Sequence, residues 1–348
     1  MSQLIVHAGF PKCGSTAIFA GLQQQFDSLS AQKIHLLNRS FEPAPRRQLA
    51  QPPLWELESA MSKPAEARDI KEKILDALGR ADPDARLILS SENLANKNAP
   101  KRLLEGIDAH FPVTAIFYIR PQVDWIPSAW KQWDMREGLT LRDTVEKYFE
   151  LRRPPYLAVL RAWQEAMPAT RIILRPLVSA ELAHGDPIRD FYDQIDATYD
   201  TAAPPAPKTN VNPSIDHALM HLMMRSHDLF FSGRHDSAFM MRLLDHLPDK
   251  YKRTNAAMLS QLTCSDIFDT YFEENLTLAS EFMRMEDARG FLNRHFRRTV
   301  EGEPYETMSE DRVMGRAERI IEEVFDVTAP RDRLAQALRD AVEARSAG

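Results

Sequence analysis

A short apolar run, Leu4-Ile5-Val6-His7-Ala8, stops at Gly9, turns through Phe10-Pro11-Lys12-Cys13-Gly14 and passes at Ser15-Thr16 into a helical pattern, Ala17-Ile18-Phe19-Ala20-Gly21-Leu22. Buried strand, glycine-bounded turn and helix start, in that order, open a βαβ unit, which commits the chain to a parallel sheet with helices on its faces. Further near-continuous apolar runs at Arg86–Ser90, Val113–Ile119 and Arg171–Leu174, with a weaker one at Lys33–Leu37, supply the other strands. Helices fill the gaps from Ser15 to about Phe26, Glu66 to Leu78, Asp124 to Arg136 and Pro155 to Ala166. The expected fold is therefore α/β, a three-layer arrangement around a central, mostly parallel sheet, followed by a helical C-terminal extension.

Two breaker-rich stretches punctuate the chain. Residues 38–54 hold Pro43, Pro45, Pro52 and Pro53 around Arg46-Arg47 and read as a long irregular connection, either a lid or a tolerated surface insertion. Ala202-Ala203-Pro204-Pro205-Ala206-Pro207 separates an α/β core, residues 1–207, from a mostly helical region, residues 208–348, packed on the same domain. Composition excludes several roles. With 44 Lys+Arg against 50 Asp+Glu the net charge is −6 and no long cationic tract occurs, so nonspecific nucleic-acid binding is not expected. No apolar run approaches the roughly 18 residues of a membrane span, and nothing at the N-terminus resembles a cleaved signal. Two cysteines 251 positions apart, Cys13 and Cys264, make neither a disulfide framework nor a paired zinc site, which suits a cytoplasmic protein.

The glycine-bounded turn is an anion cradle. Backbone N–H groups at a helix start point inward and the helix dipole adds partial positive charge. The Gly9 to Gly14 spacing copies the phosphate loop of nucleoside triphosphatases, but there Gly-Lys-Ser/Thr follows, whereas here Ser15 follows Gly14 and the lysine comes earlier, at Lys12. A lysine moved into the loop suits an anion without a third phosphate. Cys13 invites comparison with a thiolate nucleophile, but a Cys-x5-Arg phosphatase needs Arg at 19 and Phe19 stands there, so Cys13 reads as a small loop residue. The octet Gly9-Phe10-Pro11-Lys12-Cys13-Gly14-Ser15-Thr16 closely resembles the 5′-phosphosulfate loop of the sulfotransferases, which use 3′-phosphoadenosine 5′-phosphosulfate (PAPS) as donor.

One strand away, Ile119 runs into Arg120-Pro121-Gln122-Val123-Asp124-Trp125-Ile126-Pro127-Ser128-Ala129-Trp130. With Asp124 as N-cap and Pro127 in the first turn, Ser128 falls near the helix start, and the Arg120 guanidinium and Ser128 hydroxyl can converge on one small anion. The pair is similar to the second sulfotransferase signature, Arg with Ser eight positions later, which grips the donor's 3′-phosphate; Trp130 stands where that family often has Tyr. Diffuse similarity through Pro155–Tyr192 resembles the bacterial branch that modifies carbohydrates and other small acceptors, so the likeness spans roughly residues 3–230.

The resemblance implies transfer of a sulfuryl group from PAPS to a hydroxyl or amine of a carbohydrate or other small acceptor. In that scheme Lys12 stabilises the leaving phosphate, Lys12, Cys13, Gly14, Ser15, Thr16 and Ala17 bind the 5′ end, Arg120 and Ser128 bind the 3′-phosphate, and no metal is required. Glu92, at the end of an apolar strand in Ser90-Ser91-Glu92-Asn93, is the expected general base, with helix capping or ion pairing as its alternative; His7, inside the first strand, reads as structural. Rival readings are a small-molecule kinase using ATP and magnesium, against which a convincing metal-holding carboxylate is missing, and a non-catalytic nucleotide-binding protein. Trp125, Trp130 and Trp133 read as core; Lys208–Ser214 as a cap for a helix starting at Pro213; His217 and His221 as surface histidines; Met220, Met223, Met224, Met240 and Met241 as a core or an acceptor wall. Residues 38–62 are expected to shape the acceptor pocket.

Overall fold

Aliphatic and β-branched runs form the strands, and every pairing is parallel. The computed structural model describes residues 1–202, 215–252 and 256–347. Among them the strands are β1 (Gln3–Ala8), β2 (Ile34–Leu36), β3 (Arg86–Ser91), β4 (Val113–Ile119) and β5 (Arg171–Pro176), ordered β2-β3-β1-β4-β5 across the sheet. Central β1 sets Ile5 beside Ile88 on one flank and Thr114 on the other. Strands covered on both faces need apolar residues at every position, which is why β4 is buried along its whole length. Edge strand β5 keeps Arg171 exposed.

The helices are α1 (Ser15–Gln24), α2 (Phe26–Ala31), α3 (Leu54–Ala60), α4 (Pro64–Arg80), α5 (Gln122–Gln132), α6 (Leu141–Glu150), α7 (Tyr156–Ala166), α8 (Pro187–Gln194), α9 (His217–Arg225), α10 (His227–Phe230), α11 (Ala238–His246), α12 (Gln261–Thr277), α13 (Ala288–His295), α14 (Glu310–Phe325) and α15 (Leu334–Ala347). None is long and apolar enough to cross a membrane. The helix expected from Ser15 to Phe26 breaks at Gln25, because that buried side chain donates to the Asp200 carbonyl (2.8 Å) and accepts from the Asp200 N–H (3.2 Å).

The described chain gathers into two compact units. The first comprises Met1–Pro121, Pro155–Val211 and Glu273–His295; the second comprises Gln122–Pro154, Asn212–Phe272 and Phe296–Gly348. The division expected at 207/208, and the segment Lys208–Ser214 with its cap, lie outside the described residues. In the first unit β1 leads away to β2 on one side while its neighbour β4 leads to β5 on the other. Adjacent strands with diverging connections make a topological switch point, and the crevice beyond their carboxyl ends is where open parallel sheets take ligands.

The second unit is helical. Asp216, fully buried, caps α9 through the Ala218 N–H (3.0 Å) and accepts both a Nε and a Nη2 bond from Arg316 of α14. His217 and His221 are not the surface histidines expected: the His217 side chain is buried, His221 is half-buried with Nδ1 2.9 Å from the Tyr305 hydroxyl, and burial pulls both below the usual histidine range. Met220, Met223, Met224 and Met240 are core, while Met241 is exposed. Helix α5 starts at Gln122, two residues before the expected cap. Asp124 therefore sits in the first turn, paired with Arg298, and Pro127 lies inside the helix, where the Val123 carbonyl loses its partner.

Candidate functional site

Backbone constraints build the loop after β1. A Cβ on Gly9 would lie 2.5 Å from the Cβ of Ser15, so only glycine lets the strand end pass the helix start. Gly14 adopts φ +86° at the N-cap of α1, and Lys12 adopts φ +63°, a left-handed conformation costing a side-chain-bearing residue roughly 1 kcal/mol or more. The Cys13 N–H closes back on the Phe10 carbonyl (3.1 Å). No side chain caps α1, and its first ladder bond runs from Ile18 to the Gly14 carbonyl. The N–H groups of Ser15, Thr16 and Ala17 thus precede the ladder at the positive end of the helix. Leu177, just beyond β5, stands 3.5 Å from where a Gly14 Cβ would be and covers the turn from one side. Cys13 points inward: burial pushes its thiol up to about 12, so it is not a thiolate nucleophile.

Arg120 follows β4 directly and is half-exposed. Its backbone is joined to the glycine loop by a residue that sequence reasoning passed over. The Tyr156 hydroxyl, fully buried at the start of α7, donates to the Arg120 carbonyl (3.0 Å) and accepts from the Arg120 N–H (3.3 Å). With its proton committed there, its oxygen is left to accept from the Cys13 thiol at 3.4 Å. The Tyr156 ring packs edge-on against Phe10, 4.7 Å between centroids. The only sequence signal was a Tyr opening an apolar helix after Pro154-Pro155, with nothing to say that it reaches two strand ends.

Glu92 begins the short turn after β3. Ser91 caps that turn by accepting from the Asn93 N–H (3.3 Å), and the Trp163 indole holds the Leu94 carbonyl (3.2 Å). Among the described residues neither capping nor an ion pair occupies Glu92: its Oε1 accepts the Ser15 hydroxyl, setting a carboxylate beside the start of α1. No group of three or more His, Cys, Asp or Glu that could hold a metal occurs among the described residues.

His7 stays in the core. Nδ1 shares a 2.8 Å hydrogen bond with Ser90, the ring packs against Phe191 (5.1 Å), and burial drives it down to about 4, so it is neutral at ordinary pH. Beside it, Asp190 accepts from Tyr118 (2.8 Å), the Ala183 N–H (3.0 Å) and both Nε (3.0 Å) and Nη2 (2.6 Å) of Arg175, which fixes the segment carrying Leu177.

Ser128 belongs to the second unit. It is the seventh residue of α5, deeper than expected, and it is half-exposed, as are Asp124 one turn earlier and Lys131 and Gln132 at the helix end. Trp125 and Trp130 are core, Trp125 packing on Tyr148 (5.3 Å) and the Trp130 indole donating to the Leu139 carbonyl (2.8 Å); Trp133 lies just past the helix.

No family model and no curated protein matches the chain. Among solved structures it is similar to the crystal structure of a sulfotransferase from Alicyclobacillus acidocaldarius, at 16% identity over 72% of this chain and 98% of that one, with a TM-score of 0.34. A likeness that slight leaves the functional reading to the residues themselves.

Proposed function

We propose that the chain is a sulfotransferase that takes PAPS as donor and sulfates a hydroxyl or amine of a carbohydrate or other small acceptor. The observation that carries this reading is the pairing of an uncapped, lysine-bearing loop at the end of β1 with Arg120 at the end of neighbouring β4, the two fastened together by the Tyr156 hydroxyl. Two cationic sites a strand apart suit a nucleotide charged at both its 5′ and 3′ positions better than a linear triphosphate. The donor supplies an activated sulfuryl group, and the remaining work is alignment and charge stabilisation.

Within that reading the N–H groups of Gly14 through Ala17, with the Thr16 hydroxyl, take the 5′-phosphate, and Cys13 shapes the turn through its own N–H bond to Phe10. Lys12, which takes a left-handed backbone conformation within the turn, neutralises charge on the oxygen that leaves. Arg120 takes the 3′-phosphate, a role the sequence also gives to Ser128. Glu92 accepts the acceptor's proton; to do so it releases the Ser15 hydroxyl, which is then available to the phosphate. The division into an α/β core and a helical region that shapes the acceptor side, and a cytoplasmic setting, remain part of this proposal.

A second reading has one observation behind it. In ATP-using phosphate-loop enzymes a loop hydroxyl and a carboxylate at a strand end together hold magnesium, and Ser15 with Glu92 has that form. Transfer of ³⁵S from labelled PAPS to a mixed acceptor panel, beside transfer of ³²P from ATP with magnesium, decides between them. Label from PAPS alone, lost in Lys12→Ala, is the expected result; label from ATP alone would replace the proposal by a kinase.

A further inference from the structure

Two segments of the second unit exchange arginines. The turn after α5 carries Trp133 and Arg136, and the segment after α10 carries Phe231 and Arg234, an aromatic and an arginine at the same spacing in each. Arg136 lies over the Phe231 ring (5.8 Å to the centroid) and Arg234 over the Trp133 ring (5.8 Å), so each cation stacks on the aromatic of the other segment. Arg136 Nη1 also donates to the Arg234 carbonyl (3.3 Å), which fastens the two segments together. The exchange is reciprocal, and it brings two guanidinium groups onto one pair of facing turns.

An aromatic face holds a guanidinium in place without neutralising it. The carboxylates on these segments are spent elsewhere. Asp134, fully buried, accepts from Lys147 (2.7 Å) and from the Tyr148 hydroxyl, and Asp236 accepts from the Ser232 N–H (3.0 Å), the Ser232 hydroxyl (2.9 Å) and the Ala238 N–H (2.9 Å). Among the described residues neither Arg136 nor Arg234 makes an ion pair, whereas Arg316 of the same unit is gripped by Asp216 and Arg331 by Asp311 and Glu318. Both arginines are half-buried, and the Nε atom of each is shielded from solvent with no acceptor among the described residues. Burial pulls the Arg136 guanidinium below the usual arginine range, and Asp236 offsets this only in part. Two immobilised cations without a counter-charge destabilise one another. A doubly charged oxyanion relieves both, and a singly charged carboxylate only one.

We propose that Arg136 and Arg234 form an anion site of the second unit that takes a phosphate or sulfate group, free or carried as a monoester on a small molecule. The site is built wholly from that unit and stands independently of the donor reading. Calorimetry on the full chain carrying Lys12→Ala, which weakens the glycine loop as a competing site, titrates inorganic phosphate, phenyl phosphate and acetate at fixed ionic strength. Each phosphate binds at least about tenfold tighter than acetate, and adding either Arg136→Gln or Arg234→Gln weakens that binding at least about tenfold. Tighter phenyl phosphate assigns the site to a monoester and tighter inorganic phosphate to the free ion, and both uphold it. No phosphate binding, acetate binding as tight, or binding indifferent to either arginine overturns the inference. Should an arginine variant unfold, phenylglyoxal modification of the unmutated chain, mapped by peptide mass spectrometry, reads the same site. Inorganic phosphate slows labelling of both Arg136 and Arg234 at least about fivefold, and labelling that phosphate leaves unchanged at either residue overturns the inference.

Discussion

A carboxylate hydrogen-bonded to the first hydroxyl of a helix whose N-terminus no side chain caps is badly placed for holding an anion there and well placed for taking a proton beside one. Glu92→Gln keeps the bond to Ser15 and removes the charge. It is expected to tighten binding of 3′-phosphoadenosine 5′-phosphate about fivefold, from relief of like charges several ångströms apart, while lowering turnover by roughly 10²-fold or more. Calorimetry and steady-state rates read the two effects, and unchanged turnover removes Glu92 from the chemistry. Lys12→Ala and Arg120→Ala should each cut transfer by at least about 100-fold with thermal unfolding little altered, since both residues lie beyond the carboxyl ends of inner strands and are half-exposed. Wild-type rates in either variant would contradict the assignment. Tyr156→Phe leaves the ring packed on Phe10 and unties two backbones. Weaker nucleotide binding together with faster labelling of Cys13 by iodoacetamide is expected, because the loop loses its tether and the buried thiol is uncovered more often. Slow, unchanged labelling would show that the tether does not hold the loop.

At the scale of elements, two glycines of opposite surroundings make a matched pair. Gly9→Ala drives a methyl to 2.5 Å from Ser15 and is expected to abolish nucleotide binding and cost roughly 1–3 kcal/mol of stability. Gly79→Ala, in α4 with nothing within 4 Å, should instead stabilise by about 0.5–1 kcal/mol and leave binding alone. Urea denaturation measures both, and equal effects would mean that the loop tolerates the methyl. The strands were legible because burial on both faces forces unbroken apolar runs: β4 occupies the residues its sequence marks. The strand–turn–helix geometry of the glycine loop was legible because its two glycines stand where a close approach at Gly9 and a left-handed φ at Gly14 need them. What escaped was set by distant contacts. Gln25 ends α1 through Asp200, α5 starts before its expected cap, and Tyr156 joins two strand ends, none of which leaves a local pattern.

Across the whole molecule, neutral buried histidines tie stability to pH. His7 in the first unit takes up a proton only near pH 4 when folded but near 6.5 when unfolded, so the unfolded state binds more protons between those values. Its contribution is fully present above about pH 6.5 and is lost as pH falls toward 4, a change of roughly 3 kcal/mol. His217 and His221, also lowered by burial, act in the same direction on the second unit. The urea midpoint should fall from pH 7.5 to pH 5, and by less in His7→Gln; identical slopes for the two proteins would show that His7 is charged or solvated in the fold. Turnover should not follow the His7 titration, because its ring is held in the core by Ser90 and Phe191.

Calorimetric titration with 3′-phosphoadenosine 5′-phosphate and with adenosine 5′-phosphate tests the account most directly. The ligands differ only in the group assigned to Arg120. Binding of the first at least about 100-fold tighter, with the difference largely erased in Arg120→Ala, is the expected result. Equal affinities in the wild-type chain would contradict it.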